Sequence, residues 1–154
     1  MCIRDSFCTQ VSKLADLGAE AIKSDLESIL LGNIKFKSQN ENEACYTGKI
    51  KKSNALMDWK NSSKSLERHV RAFNSIPGAY FMYGDEPIKC WKAEAKKNNA
   101  KPGHIISADK RGIEVACGEG SLVILELQRP GKNKISAGEF CAQVHSSNKS
   151  LLSL

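Results

Sequence analysis

The chain has 154 residues, of which 41% are hydrophobic and 26% are charged. This length accommodates one domain of ordinary size with a short appendage, and the composition is typical of a folded globular protein. No apolar run approaches the roughly 20 residues that a membrane helix needs, so we expect a cytoplasmic protein that does not bind membranes.

The formal net charge of +6 is unevenly distributed along the chain. Residues 1–48 carry five Lys and Arg against seven Asp and Glu, whereas residues 49–154 carry 18 against 10. A cationic block of this kind indicates a polyanionic partner, although a well-solvated, lysine-rich surface explains the same charge equally well.

The cysteines show neither a metal-binding nor a disulfide pattern. There are six of them: Cys2, Cys8, Cys45, Cys90, Cys117 and Cys141. They form no Cys-x-x-Cys pair, and no His lies at zinc-finger distance from a pair of cysteines, so we predict no metal site. Because no secretory signal is present, we expect reduced thiols in a cytosolic protein.

The N-terminal region divides into a leader, a helix and a linker. Residues 1–6, MCIRDS, match no structural pattern and resemble a translated sequencing adapter, so we expect a non-native leader. Apolar residues recur at helical spacing over residues 7–32, with Gly32 as the stop signal. Residues 33–58 are polar and linker-like and offer no partner for the apolar stripe of this helix. We expect the helix to be the last one of a domain that this chain lacks.

A second helix is predicted through LERHVRAF. Leu66, Val70 and Phe73 share one face of it, and Ser62 or Ser63 supplies the N-terminal cap. Pro77 then forbids helical continuation.

Short strands separated by tight turns dominate residues 59–145. AYFMY and IKCWKAEA flank a turn at residues 84–87, and GHIISA and IEVAC flank a turn at residues 109–112. SLVILEL supplies a further strand, QRPGKNK a basic loop, and Ser136-x-x-Glu139 the capping box of a last helix. We predict a mainly β fold with flanking helices, a small antiparallel barrel, followed by a tail at residues 146–154.

Several ordered motifs carry a family resemblance. KIKKSNALMDW, LERHVRAFNSIPGAYF, IKCWKAEA and PGHIISADKRGIEVACGEGSLVILELQRPGKNKISAGEF follow one another over residues 46–140. This string resembles the C-terminal part of the methionyl-tRNA formyltransferase family. The resemblance extends less closely back through KLADLGAEAI, which is similar to the last helix of the catalytic domain of that family.

The resemblance implies a fold and a reaction. The family transfers a formyl group from the co-substrate 10-formyltetrahydrofolate to the methionine of initiator Met-tRNA, using an N-terminal Rossmann-like domain. A linker and an OB-fold-like C-terminal domain help to hold the tRNA, and basic OB barrels bind nucleic acid. The catalytic His-x-Ser-Leu-Leu-Pro motif is absent here, so the resemblance implies an inactive, monomeric tRNA-binding fragment that binds no cofactor. We assign no catalytic residue, and His69, His104 and His145 lie outside any matching motif.

Two alternatives remain open at this point. The C-terminal domain of a sugar-nucleotide formyltransferase, or of a formyltetrahydrofolate hydrolase or dehydrogenase, shares the barrel without needing a tRNA. A stand-alone OB-type binding module is the other alternative, and the isolated amphipathic helix argues against it.

Nine basic residues are candidates for contact with tRNA. Lysines before the second helix match or adjoin the basic end of the family linker, two arginines belong to LERHVRAF, and four more cations lie on predicted turns. These residues are Lys49, Lys51, Lys52, Arg68, Arg71, Lys110, Arg111, Lys132 and Lys134. Lysine and arginine are also common on turns simply because they are solvated there. If these residues do contact phosphates, the affinity would depend on salt and the contacts would distinguish little between bases.

Two tryptophans also bear on nucleic-acid binding. Trp59 and Trp91 could stack on bases. We favour core positions for both, because a large aromatic ring contributes most to stability when it is buried.

Overall fold

A computed structural model describes residues 5–98 and 100–146 of the chain. The elements in chain order are α1 (Phe7–Leu30), α2 (Ser63–Phe73), β1 (Tyr80–Tyr83), β2 (Glu86–Lys96), β3 (Ile105–Asp109), β4 (Gly112–Ala116), β5 (Ser121–Gln128), β6 (Lys134–Ser136) and α3 (Ala137–Ser146). Two 3₁₀ turns, Glu41–Glu43 and Lys52–Ala55, interrupt the otherwise irregular segment between α1 and α2. The predicted tail lies outside the described residues from position 147 onward.

The six strands form one antiparallel sheet in the order β1-β2-β5-β4-β3, and β6 also pairs with β5. One edge of β5 pairs with β2, while its other edge pairs first with β4 and then with β6. Shifts in register between Cys90 and Ala93 bend β2 against β5, as β-bulges do. The sheet with its flanking helices confirms the prediction of a mainly β, small barrel-like domain.

One hydrophobic core lies between the sheet and the helices. Leu66 and Val70 of α2 are 2% exposed and pack with buried strand residues such as Ile88, while Phe140 of α3 closes another side. The predicted apolar face of α2 is therefore the buried one. The chain enters this core ahead of α2, because Ala55 is fully buried and the Met57 amide donates to the Tyr80 carbonyl at 2.8 Å.

Local signals in the sequence account for the helix ends. The Ser62 hydroxyl accepts from the Ser65 amide at 3.3 Å and caps α2. At α3, the Ser136 amide donates to Glu139 Oε2 at 2.9 Å, and the Glu139 amide donates to Ser136 Oγ at 3.2 Å. This is the reciprocal capping box that the sequence predicts.

Two details of the sheet differ from the sequence-based prediction. Glu86 and Pro87, predicted as part of a turn, belong to β2, because a two-residue connection suffices between Tyr83 and Glu86. Strand β6 begins at the last residue of the predicted basic loop QRPGKNK and ends at Ser136 of the predicted capping box, and no strand is predicted there. Its three residues contain one apolar side chain, Ile135, which gives no alternation, and only pairing with β5 makes the segment a strand.

Helix α1 exposes its apolar stripe. Leu14, Leu17 and Ile22 are more than 60% exposed, and no residue of α1 is buried. The helix contacts the rest of the chain near its N-terminus, where Cys8 Sγ lies 3.3 Å from Ser75 Oγ. In the described part of the chain, no helix combines the length and apolar character that crossing a membrane requires.

Candidate nucleic-acid interface

A cationic face, here called the Trp91 face, is built where β2, β5 and β6 run side by side. Lys89 of β2 lies opposite Gln128 of β5, and Gln128 lies opposite Lys134 of β6. Lys89 and Lys134 place their ammonium groups near the indole of Trp91. Lys52 and Arg129 line a cleft together with Lys89, and Lys132 lies in the loop between β5 and β6. These five cations and Trp91 make up the face. Three segments that are far apart in sequence therefore contribute charge to one surface.

A cleft of about 210 Å³ opens beside this row. Lys52, at the start of the second 3₁₀ turn, lines it together with Gly78, Tyr80, Lys89, Gln128 and Arg129. Gly78 has a φ of +88°, which favours glycine, and a methyl group there would lie 3.2 Å from Lys89 Cδ. The missing side chain at Gly78 thus leaves the space that the Lys89 stem occupies.

The indole of Trp91 lies at the centre of the face. Its Nε1–H donates to Gln128 Oε1 at 3.0 Å, and Gln128 Nε2 donates in turn to the Lys132 carbonyl at 2.7 Å. Lys134 Nζ lies 4.8 Å from the indole centroid and Lys89 Nζ lies 5.5 Å from it, both within cation–π range.

Two carboxylates partly neutralise the face. Arg129 forms a bidentate pair with Glu86 at 3.0 and 2.7 Å, and this hydrogen bonding raises the pKa of Arg129 above its ordinary value. Lys134 Nζ lies 3.6 Å from Glu126 Oε2. Within residues 5–98 and 100–146, Lys52, Lys89 and Lys132 have no carboxylate partner. These three lysines offer the charge with which an external anion would interact.

The other candidates from the linker and the β3–β4 turn occupy different places. Lys49 and Lys51 are exposed on the approach to Lys52, and Lys51 forms the N-cap of the 3₁₀ turn. Lys110 and Arg111 form the β3–β4 turn, which β5 and β4 separate from β2 in the sheet order. Arg111 donates to Asp109 Oδ2 at 2.9 Å, and the Arg111 side chain lowers the pKa of Asp109.

The two arginines of α2 differ from each other. Arg71 donates to Glu67 Oε1 at 2.9 Å and reaches the Asp5 carbonyl at 3.4 Å, so it joins α2 to the start of α1. Arg68 is exposed to solvent. Neither arginine lines the cleft of the Trp91 face.

Lys89 and Arg129, two further cations of the Trp91 face, were not among the residues predicted from the sequence. One signal was available, since Lys89 and Trp91 are two residues apart in a strand and so project to the same side. A second cleft, of about 430 Å³, was also missed. Lys64, Lys96 and Lys97 line it near the N-terminus of α2, and Lys96 lies 3.8 Å from the Glu114 carboxylate.

The two tryptophans differ in their surroundings. Trp59 packs against the core and makes an edge contact with Phe81 at 5.7 Å between ring centroids. Trp91, also expected in the core, is instead half-buried on the cationic face, because the bulge in β2 and the bond to Gln128 hold it there.

The His, Cys, Asp and Glu side chains of the described residues form no metal-binding cluster. Groups of three or more His, Cys, Asp or Glu side chains suited to a metal ion are absent from residues 5–98 and 100–146. The rings of His69 and Phe73 are tilted by 45° with centroids 4.5 Å apart, His104 is exposed, and the side chain of His145 lies outside the described part.

The fold and this face together define a small antiparallel β domain with a lysine-rich, aromatic-centred surface. Residues 49–145 match the family described as "Formyl transferase, C-terminal domain". The chain belongs to this family.

Curated relatives agree with this assignment. Methionyl-tRNA formyltransferase from Coxiella burnetii, strains RSA 331 / Henzerling II and CbuG_Q212, is 39% identical over 130 residues, which cover 83% of this chain. Those residues cover 41% of each relative. The chain thus spans about two fifths of the length of the curated relatives that it matches.

Solved structures support the fold. A multiply substituted variant of HypX from Aquifex aeolicus matches with a TM-score of 0.65 and 19% identity, over 85% of this chain and 24% of that chain. HypX in complex with tetrahydrofolic acid matches with a TM-score of 0.62 and 20% identity, over 80% of this chain and 22% of that chain.

Proposed function

We propose that this chain is the C-terminal, tRNA-binding part of a methionyl-tRNA formyltransferase. The 39% identity to the Coxiella burnetii enzyme supports the choice of enzyme, and the Trp91 face is the observation that supports binding. In the proposed whole enzyme, a formyl group passes from 10-formyltetrahydrofolate to the amino group of methionine on initiator tRNA. The part that carries out this transfer would lie in the region of the relatives that the chain does not match.

The proposed role of the chain is to hold the tRNA while another domain performs the transfer. Lys52, Lys89 and Lys132 have no carboxylate partner in the described residues and belong to three different segments of the Trp91 face, so they are available to neutralise phosphates. Such contacts release condensed counterions and give affinity that falls with salt. They fix the position of a nucleic acid and carry little base information. A cytoplasmic monomer suits this role.

The binding proposal is tested by fluorescence anisotropy with labelled initiator tRNA and the purified chain. Three phosphate contacts would lower the affinity roughly 40-fold between 50 and 200 mM salt. In the K52M/K89M/K132M variant we expect weaker binding at low salt and a log–log salt slope reduced by about 3. The proposal fails if the parent chain does not bind, or if the triple variant binds as the parent does.

A matched control removes the same charge elsewhere. K23M/K35M/K37M deletes three exposed lysines of α1 and the following segment, far from the Trp91 face in sequence. We expect this control to keep at least half of the parent affinity and an unchanged salt slope. An equal loss in both variants would mean that only net charge matters, and would contradict a localised interface.

The proposal for the chain alone is binding without catalysis. We expect the purified chain to produce no formylmethionyl-tRNA from 10-formyltetrahydrofolate and charged initiator tRNA, and to show no binding of the folate by calorimetry. Detectable formylation by the purified chain would contradict this half of the proposal and leave tRNA binding standing.

A further inference from the structure

Trp91 occupies a position on the cationic face that bears on what the face recognises. We propose that Trp91 is a positioning residue that holds Lys89 and Lys134 as a pair of phosphate-binding cations. The site would then take the phosphates of a nucleic-acid backbone and not an unpaired base. This inference rests on the proposed function, since it describes how the same face binds tRNA.

Trp91 is held by hydrogen bonds at the edge of its indole ring and at its backbone carbonyl. Its Nε1–H donates to Gln128 Oε1 at 3.0 Å, and Gln128 is itself anchored to the Lys132 carbonyl at 2.7 Å. The Trp91 carbonyl accepts from Asn74 Nδ2 at 2.9 Å, which ties the same residue to the end of α2. A ring fixed in this way can set the positions of groups that rest on it.

The two ammonium groups rest on this ring. Lys134 Nζ is 4.8 Å and Lys89 Nζ is 5.5 Å from the centroid, and the electron-rich indole face attracts both. The Lys89 stem passes Gly78, where an added methyl group would lie 3.2 Å from Lys89 Cδ, so the glycine leaves the space that the stem occupies. A free lysine loses much rotamer freedom when it binds a ligand, so two lysines already held in place bind a phosphate at lower entropic cost.

The same geometry disfavours stacking of a base on Trp91. The ring is half-buried, and the two ammonium groups already lie over it at distances typical of cation–π contact. A stacked base would have to displace these cations and lose their attraction to the ring. A phosphate requires no such displacement, although at Lys134 it competes with Glu126, 3.6 Å away.

A double-mutant cycle separates the two roles. If Trp91 acts through the lysines, W91L weakens tRNA binding about 5-fold in the parent chain and less than 2-fold in a K89M/K134M background. Inorganic polyphosphate, which has no bases, should show the same pattern. If Trp91 instead stacks on a base, W91L should weaken tRNA binding equally in the K89M/K134M background and should not weaken polyphosphate binding. Either result would overturn the inference.

The test remains available if W91L does not fold, which circular dichroism and thermal unfolding would report. W91F keeps an aromatic face with a weaker attraction for cations, and it can replace W91L in the same double-mutant cycle. We expect W91F to weaken tRNA binding about 2-fold in the parent chain and to have no effect in the K89M/K134M background. A W91F loss that persists in that background overturns the inference equally.

Failure of the inference and failure of the proposed function give different results. If the parent chain binds tRNA with the expected salt dependence but the cycle shows no coupling, only the role of Trp91 is wrong. If the parent chain does not bind tRNA at all, both are wrong.

Discussion

Glu114 is the residue whose environment has the clearest energetic consequence. It lies on β4 with 6% of its surface exposed, and its Oε1 accepts from Ser121 Oγ and from Asn98 Nδ2, both at 2.6 Å. The Ser121 hydrogen bond is the main cause that lowers the pKa of Glu114, against the opposing effect of burial. The carboxylate thus stabilises the fold while it is ionised.

The expected consequence is a loss of stability in acid that depends on Glu114. A lowered folded-state pKa contributes stability above the ordinary pKa of a glutamate, and this contribution disappears as the pH falls through the folded-state value. We expect E114Q to cost about 1–3 kcal/mol at pH 7, since it disturbs a buried hydrogen-bonded group. Urea unfolding at pH 7 and pH 4 should show the difference between E114Q and the parent shrinking at the lower pH.

A matched control for this substitution lies on β2. Glu94 is exposed and has no ion pair or hydrogen bond assigned to its side chain in the described residues, so E94Q should leave stability within about 0.5 kcal/mol of the parent at both pH values. A constant difference between E114Q and the parent across this pH range would contradict the assigned role of the ionised carboxylate.

Among the structural elements, the β4–β5 turn carries a contact that constrains residue type. The Gly118 amide donates to the Trp59 carbonyl at 2.8 Å, and this joins the turn to the segment that leads into α2. A methyl group at Gly118 would collide with the Lys60 carbonyl oxygen, which belongs to the backbone and cannot rotate away. The turn and the entry to α2 are therefore fitted to each other.

We expect G118A to destabilise the chain by about 3 kcal/mol, because the extra atom forces two backbone segments apart. Thermal unfolding followed by circular dichroism measures the effect. G48A is the matched control, since no atom lies within 4 Å of the added methyl group at Gly48. If G118A has the same unfolding temperature as the parent chain, the β4–β5 turn does not approach the segment before α2 as closely as described.

The elements differ in how far the sequence predicts them. The β3–β4 hairpin and the α3 capping box follow from local signals, a glycine-ended turn in one and Ser136 with Glu139 in the other. Strand β6 does not, because three residues with one apolar side chain contain no periodicity. Its hydrogen bonds to β5 come from tertiary pairing, which a local pattern does not record.

At the scale of the whole molecule, the thiols report on global unfolding. Burial raises the pKa of Cys90 to about 12 and that of Cys117 to about 11, and it also raises the pKa of Cys141. Since the thiolate is the reactive form, these groups are protected by both burial and protonation. Cys8 and Cys45 are exposed.

We expect a chain with Cys2 replaced by Ser to react with an aromatic disulfide reagent at pH 8 in two phases. Cys8 and Cys45 should react at once, and the three buried thiols at a rate limited by opening of the core. Stopped-flow absorbance with and without urea measures both phases. A fast reaction of all five thiols without denaturant would mean that the core is not closed around Cys90, Cys117 and Cys141.

The Trp91 face is also a property of the whole molecule. Lys52 and Lys132 are 80 residues apart in the sequence and lie outside the strands, whereas Lys89 belongs to β2. Basic side chains on turns and linkers pointed to Lys52, Lys132 and Lys134 as candidates. Lys89 cannot be predicted from the sequence in the same way, because its place on the face depends on its neighbours across β5 and on the space at Gly78.

By itself, the sequence determined the order and type of most elements, the basic character of residues 49–154 and the family resemblance. Turn residues, caps and apolar periodicity act over a few positions and can be read along the chain. Only the tertiary structure decided that Trp91 lies on a cationic face, that β6 is a strand, and which lysines lack a carboxylate partner in the described residues. These properties arise from contacts between segments far apart in sequence, because pairing with β5 brings β2 and β6 to either side of it.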